Sequence, residues 1–153
     1  MSEKKLEGAG LRGQVAGKTS LSTVGKAGKG LTYRGYPIET LSEKAKFEEV
    51  AYLLMYGSLP NANEYESYSK KLISMRSLPE TILEVLERIP ASAHPMDVMR
   101  TGCSMLGNIE PEGEFSNQQH SANRILATMA SIIVYWYKYC LLYTSPSPRD
   151  LAV

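Results

Sequence analysis

The chain has 153 residues, 43% of them hydrophobic and 22% charged, with a formal net charge of +1. That is the balance of an ordinary globular domain long enough to bury a core. Lysines and arginines are dispersed among carboxylates, which leaves no basic face for nucleic acid and no acidic tail. The two cysteines, Cys103 and Cys140, lack Cys or His neighbours at metal-ligand spacing, which speaks against a disulfide framework or zinc motif and suits a reducing, cytoplasmic setting.

In chain order, residues 1–10 read as a flexible leader: Met1 to Glu7 is polar and charged and lacks the apolar run of a secretory signal. Gly8 to Gly30 interleaves glycines with β-branched Val15, Thr19, Thr23 and Val24, a composition that favours small hairpins over helix. Gly35 to Ile38 predicts a turn, with Pro37 biasing Tyr36 away from the helical region.

The period then becomes helical. Phe47, Val50, Ala51 and Leu54 form one stripe, with Glu48 and Glu49 turned away and Gly57 placed to cap the carboxyl end. Asn61 with Glu64 is a capping-box pair opening a second helix that presents Tyr65, Tyr68, Leu72 and Met75 and ends near Arg76 and Ser77. Pro79 suits the first turn of a short helix striped by Ile82, Val85, Leu86 and Ile89 and stopped by Pro90. Pro95 opens another, in which Met96, Met99, Gly102, Cys103 and Leu106 share a face whose two small residues admit a close backbone approach.

Asn108 to Asn117, with Pro111, Gly113 and several acids, reads as a loop. Ala122, Ile125, Leu126, Met129, Ile133 and Trp136 line a last helix. Its apolar stretch, Ile125 to Tyr137, is broken by Thr128 and Ser131 and falls short of the roughly 20 residues of a membrane span. A core helix, with no membrane partner, is the reading. The fold class is therefore mainly α, with a small β-hairpin element near the N-terminus.

Candidate chemistry is sparse. Gly17-Lys18-Thr19 ends like a phosphate-binding loop, but its first glycine would fall on Arg12, and Gly25, Gly28 and Gly30 do not have dinucleotide-fingerprint spacing. His94, ahead of Pro95, could meet a ligand, cap the helix or hydrogen-bond in a half-buried place. His120 sits among Gln118, Gln119 and Ser121 at a solvated helix start, and neither histidine has a nucleophile, carboxylate or metal partner nearby in sequence. Arg76 is the candidate substrate-binding residue, since a guanidinium holds carboxylates or phosphates through paired donors. Cys103 reads as inert packing, and Tyr135, Trp136, Tyr137 and Tyr139, with only Lys138 among them, as core and helix contact rather than a nucleic-acid stacking surface.

Leu31 to Ile38 (Leu-Thr-Tyr-Arg-Gly-Tyr-Pro-Ile) and His94 to Gly102 (His-Pro-Met-Asp-Val-Met-Arg-Thr-Gly) resemble the amino-terminal part of the citrate synthase family, most closely its bacterial 2-methylcitrate synthase branch. Phe47 to Leu54, the Leu59-Pro60 step and Tyr135 to Tyr137 extend the resemblance, which runs from about Leu11 to Tyr139. It implies residues 11–139 to be part of a large helical domain of a homodimer that closes over oxaloacetate and propionyl-CoA or acetyl-CoA. No tightly bound cofactor is implied, because the acyl-CoA is a substrate. The family's catalytic segments, His-Gly-Gly-Ala-Asn-Glu, Gly-Phe-Gly-His and a later aspartate motif, do not occur in this chain. No catalytic residue, cofactor-binding residue or metal ligand is therefore assigned, and the 153-residue chain is expected to be inactive.

Residues 140–153 are expected to be foreign. Cys140 to Asp150 reads, codon for codon, as the translation of a transposon-type sequencing-library adapter. Two further function classes stay open on the residues alone: a non-catalytic helical interaction module, and a phosphate binder using the glycine-rich leader.

Overall fold

The computed structural model describes residues 17–24 and 30–144, the side chains of Tyr143 and Thr144 excepted. The leader, much of the glycine-rich segment and residues 145–153 lie outside the described residues. The chain divides into two compact units, Met1–Leu59 and Pro60–Val153.

In the first unit, strands β1 (Ser22–Thr23), β2 (Thr32–Tyr33) and β3 (Tyr36–Pro37) form a three-stranded antiparallel sheet in the order β1-β2-β3. The turn lies earlier than the sequence suggests. Tyr33 pairs with Tyr36, and the two residues between them, Arg34 (φ 49) and Gly35 (φ 91), both take positive φ. That combination fits the twist of a two-residue hairpin, so Gly35 stays in the turn while Tyr36 and Pro37 become a strand. Pro37 is tolerated because β3 is an edge strand and the proline also precedes helix α1 (Ile38–Lys44). Arg34 then braces the turn, its Nη1 donating to Ser20 Oγ at 2.9 Å and its Nη2 to the Leu54 carbonyl at 3.1 Å.

Helix α2 (Phe47–Tyr56) starts with the Lys46 amide on Glu49 Oε2 at 2.7 Å and ends on Gly57 at φ 94, whose amide reaches Leu53 O. The cap is as the sequence implies. The stripe is rotated: Leu53 and Ala51 are buried, whereas Phe47 in the first turn is exposed.

The second unit is helical: α3 (Ala62–Ser74), α4 (Glu80–Glu87), α5 (Pro95–Ile109), a 3-10 turn (Phe115–Asn117) and α6 (Gln118–Thr144). The Asn61 side chain accepts from the Asn63 and Glu64 amides while Glu64 accepts from the Asn61 amide, completing the capping box. Ile82 and Leu86 of α4, Val98 and Leu106 of α5, and Ile132 and Trp136 of α6 make the buried cluster. Each such side chain contributes about 1.5–3 kcal/mol of burial as an upper estimate.

Two helix faces differ from their apolar spacing. On α5 Gly102 and Leu106 are buried as the spacing implies, but the first core position is Val98 and Met96 is exposed. The close approach at Gly102 comes from a side chain, not a backbone: a Cβ built there would stand 2.6 Å from Ile132 Cγ2. On α6 the fully buried positions are Asn123, Thr128 and Ile132, whereas Ile125 is exposed and Ile133 only partly covered. The physical reason is that both polar residues are satisfied where they lie. Asn123 Oδ1 accepts from Tyr68 OH at 2.8 Å and Nδ2 donates to Gln119 O, while Thr128 Oγ1 donates to Arg124 O at 2.8 Å.

The length argument against a membrane span also needs correction. The helical stretch Phe115–Leu142 is long and apolar enough to cross a membrane by length and composition. Its packing against α3, α4 and α5, with an amide and a hydroxyl buried on that face, makes it a packing helix of this unit.

Candidate functional site

The densest polar geometry gathers where the end of α5 meets the start of α6. Arg124, on the first half of α6, has its side chain only 12% exposed. Its Nε and Nη2 donate to Glu110 Oε2 at 2.9 Å and Oε1 at 2.7 Å, a fork-on-fork pair. Its Nη1 donates to the carbonyls of Met75 and, at 2.9 Å, Ser77. One guanidinium thus ties the α3–α4 connection to the ends of α5 and α6. The hydrogen bonds from Arg124 hold the Glu110 carboxyl below the usual carboxylate range against the opposing effect of burial, with further help from the Arg124 charge and a smaller contribution from His120.

Beside this clamp lies a cavity of about 670 Å³. Its wall is apolar along Cys103, Leu106 and Ile125, and Glu112, Asn117 and His120 contribute polar groups. His120 and Cys103 are therefore brought together in one cavity. Cys103 is half-buried.

Arg76 lies between the two carbonyls that Arg124 holds, and its own side chain is exposed. It does not line the cavity. His94 resolves to one of its three alternatives: Nδ1 accepts from the Met96 amide at 3.2 Å, so the imidazole caps α5. Gly17, Lys18 and Thr19 are exposed; Arg12, Gly25 and Gly28 lie outside the described residues. The aromatic run splits as packing demands. Trp136 is buried with Nε1 on Ile89 O, Tyr135 OH donates to Glu87, and Tyr137 is exposed. Among the described residues, no group of three or more His, Cys, Asp or Glu could hold a metal ion.

Arg124 and Glu110 are the pair that sequence reasoning missed. The signal was present, since Arg124 interrupts the apolar run Ala122 to Leu126 and a charge there calls for a buried partner. The partner lies at the C-cap of α5, and spacing along the chain does not reveal it.

A family profile described as "Citrate synthase, C-terminal domain" matches residues 10–152. The 2-methylcitrate synthase of Shewanella oneidensis is 63% identical over 136 residues, 89% of this chain and 36% of that protein. Among solved structures, citrate synthase from Thermotoga maritima superposes with a TM-score of 0.76 at 32% identity, covering 87% of this chain and 35% of that one. Citrate synthase from Thermoplasma acidophilum, solved as a ternary complex with carboxymethyl coenzyme A and oxaloacetate, shares the fold at a TM-score of 0.78 and 21% identity, covering 92% of this chain and 38% of that one. The chain thus spans little more than a third of the relatives it matches. Its mainly helical fold matches theirs over that span, and it belongs to the citrate synthase family.

Proposed function

We propose that the complete polypeptide carrying this chain is a 2-methylcitrate synthase. It condenses propionyl-CoA with oxaloacetate and water to give 2-methylcitrate and CoA, works as a homodimer in the cytoplasm, and uses the acyl-CoA as substrate with no tightly bound cofactor. The observation that carries this reading is the 63% identity to a 2-methylcitrate synthase, against 33–34% to citrate synthases matched over a similar share of the chain. Forming the carbon–carbon bond needs a positioned base for the thioester α-proton and donors aimed at the developing oxyanion. His94 is spent on capping, and His120 neighbours Glu110 and Arg124, which are engaged with each other. We therefore assign this chain no catalytic residue and no turnover of its own. Arg76 is proposed to hold an anionic group of a substrate, a carboxylate of oxaloacetate or a phosphate of CoA. Cys140 to Val153 is proposed to be foreign, on the codon match of Cys140 to Asp150.

The test is a steady-state assay of the complete polypeptide and of the 153-residue chain with propionyl-CoA and acetyl-CoA. The expected result is a higher kcat/KM for propionyl-CoA in the former and no turnover in the latter. A preference for acetyl-CoA would make it a citrate synthase, and turnover by the purified 153-residue chain would overturn the assignment of its chemistry elsewhere. Ile125, Val134, Tyr137, Leu141 and Leu142 of α6 are exposed. Val134, Tyr137 and Leu141, at i, i+3 and i+7, share one side of the helix, and such exposed apolar surface leads us to expect concentration-dependent association of the short chain. A monodisperse, cooperatively melting monomer in sedimentation and calorimetry would contradict it.

A further inference from the structure

We propose that Arg124 is a positioning residue that fixes how Arg76 is presented to its anionic substrate; the proposal rests on the substrate role of Arg76 given above. Arg76 follows the last turn of α3 and begins an irregular segment, Arg76 to Pro79, that has no regular secondary structure of its own. A guanidinium on such a segment would lose backbone freedom when it bound a planar anion. The clamp removes the backbone part in advance. The carbonyl before Arg76 (Met75) and the carbonyl after it (Ser77) both accept from Nη1 of Arg124, and Arg76 N donates to Ile73 O at 3.2 Å.

Arg124 is in turn fixed by the two-point contact with Glu110 and by the burial of its side chain. The position of Arg76 is thereby referred to α5 and α6, the helices of the buried cluster, rather than to its own segment. A guanidinium is required at 124 because four acceptors must be reached from one planar group. An ammonium has three donors on a single nitrogen and cannot span the carboxylate and both carbonyls.

The experiment uses the complete polypeptide carrying this sequence, with KM measured separately for oxaloacetate and propionyl-CoA, kcat, and a thermal melt to establish that each variant is folded. Arg76→Gln is expected to raise KM about tenfold, the scale of one lost charge-assisted contact. The substrate whose KM rises identifies the anion, a carboxylate or a CoA phosphate. Arg124→Lys is expected to raise the KM of that same substrate by about threefold to tenfold, with kcat within about twofold. The double variant should add nothing to Arg76→Gln, because a misplaced anchor that is already absent cannot be missed.

Additive effects in the double variant, or a lower melting temperature with both KM values unchanged in Arg124→Lys, would reduce Arg124 to a structural brace and overturn the positioning role alone. No KM change in Arg76→Gln would instead overturn the substrate role of Arg76 and the positioning role with it. Absence of condensation in the unsubstituted complete polypeptide would overturn all three readings.

Discussion

The two halves of α6 are attached to the same unit by different physics. Towards its C-terminus the helix interdigitates: Ile132 lies on Gly102 of α5 and Trp136 is buried among α4, α5 and their connection. Towards its N-terminus the inward residues besides the small Ala127 are polar, Asn123, Arg124 and Thr128, each paired by hydrogen bonds to α3, to the end of α5 or to its own helix. An apolar seam is forgiving of chemistry and strict about volume, whereas a polar seam is strict about partners. Substitution should therefore give opposite dependences on size and on pH in the two halves.

The largest effect is expected at the apolar seam. Ile132→Ala removes a fully buried side chain and leaves a void between α5 and α6, so it should destabilise the chain by about 2–5 kcal/mol in denaturant unfolding at matched protein concentration. The loss should be independent of pH. A change below about 1 kcal/mol would mean that the seam collapses to fill the space and is not volume-strict.

A sharper form of the comparison uses two glycines of α5. At Gly102 a Cβ would meet three Ile132 side-chain atoms at 2.6–3.2 Å, whereas at Gly107 it would meet nothing within 4 Å. Ile132 is β-branched and confined to essentially one χ1 well in a helix, so it cannot swing away. Gly102→Ala should accordingly cost about 1 kcal/mol net, overpacking outweighing the gain in helix propensity. Gly107→Ala should stabilise by about 0.5–1 kcal/mol. Shifts of the same sign in thermal melts of the two variants would remove the distinction. Pairing Gly102→Ala with Ile132→Val should recover part of the loss, a coupling that a double-mutant cycle reads directly.

The difference between the two halves also explains what was legible in the sequence. The capping signals gave helix starts and stops correctly at Asn61, Gly57 and Pro95, because a cap is a local contract among residues a few positions apart. Gly102 was readable as a close-packing site, although Ile132 as its occupant was not. On α5 the spacing places Gly102 and Leu106 correctly and misses only Val98, whereas the α6 stripe, Trp136 apart, lies one step off because apolar spacing cannot anticipate a buried Asn123 whose partner, Tyr68, is 55 residues away, or an Arg124 whose carboxylate lies 14 residues upstream. The hairpin turn was misplaced for a related reason. Pro37 is the conspicuous residue there, but Arg34, at φ 49, makes the turn and is braced by Ser20 and Leu54 from elsewhere in its unit. Arg76, visible as a candidate, and Arg124, invisible as its brace, stand on either side of this line between local and long-range information.

The smallest effect tests the polar seam by acid. The Glu110 carboxyl is held below its ordinary value in the folded chain, chiefly by the hydrogen bonds from Arg124. A carboxyl depressed in this way contributes stability in full above its unfolded value, about 4.3, and loses it as pH falls from there through the lower folded value. With the Glu110 side chain 36% exposed, screening limits the contribution to under about 1 kcal/mol. The two carbonyl contacts of Arg124 do not titrate, so acid should loosen the clamp without releasing it. The expected result is that Glu110→Gln lowers stability near neutrality and that the gap to the unsubstituted chain closes on acidification below about pH 4.3, while the gap for Gly102→Ala stays constant over the same range. If the Glu110→Gln gap held constant as well, the carboxylate charge would add nothing to the N-terminal half of α6. That seam would then rest on the neutral contacts of Asn123 and Thr128 and on the carbonyls of Met75 and Ser77.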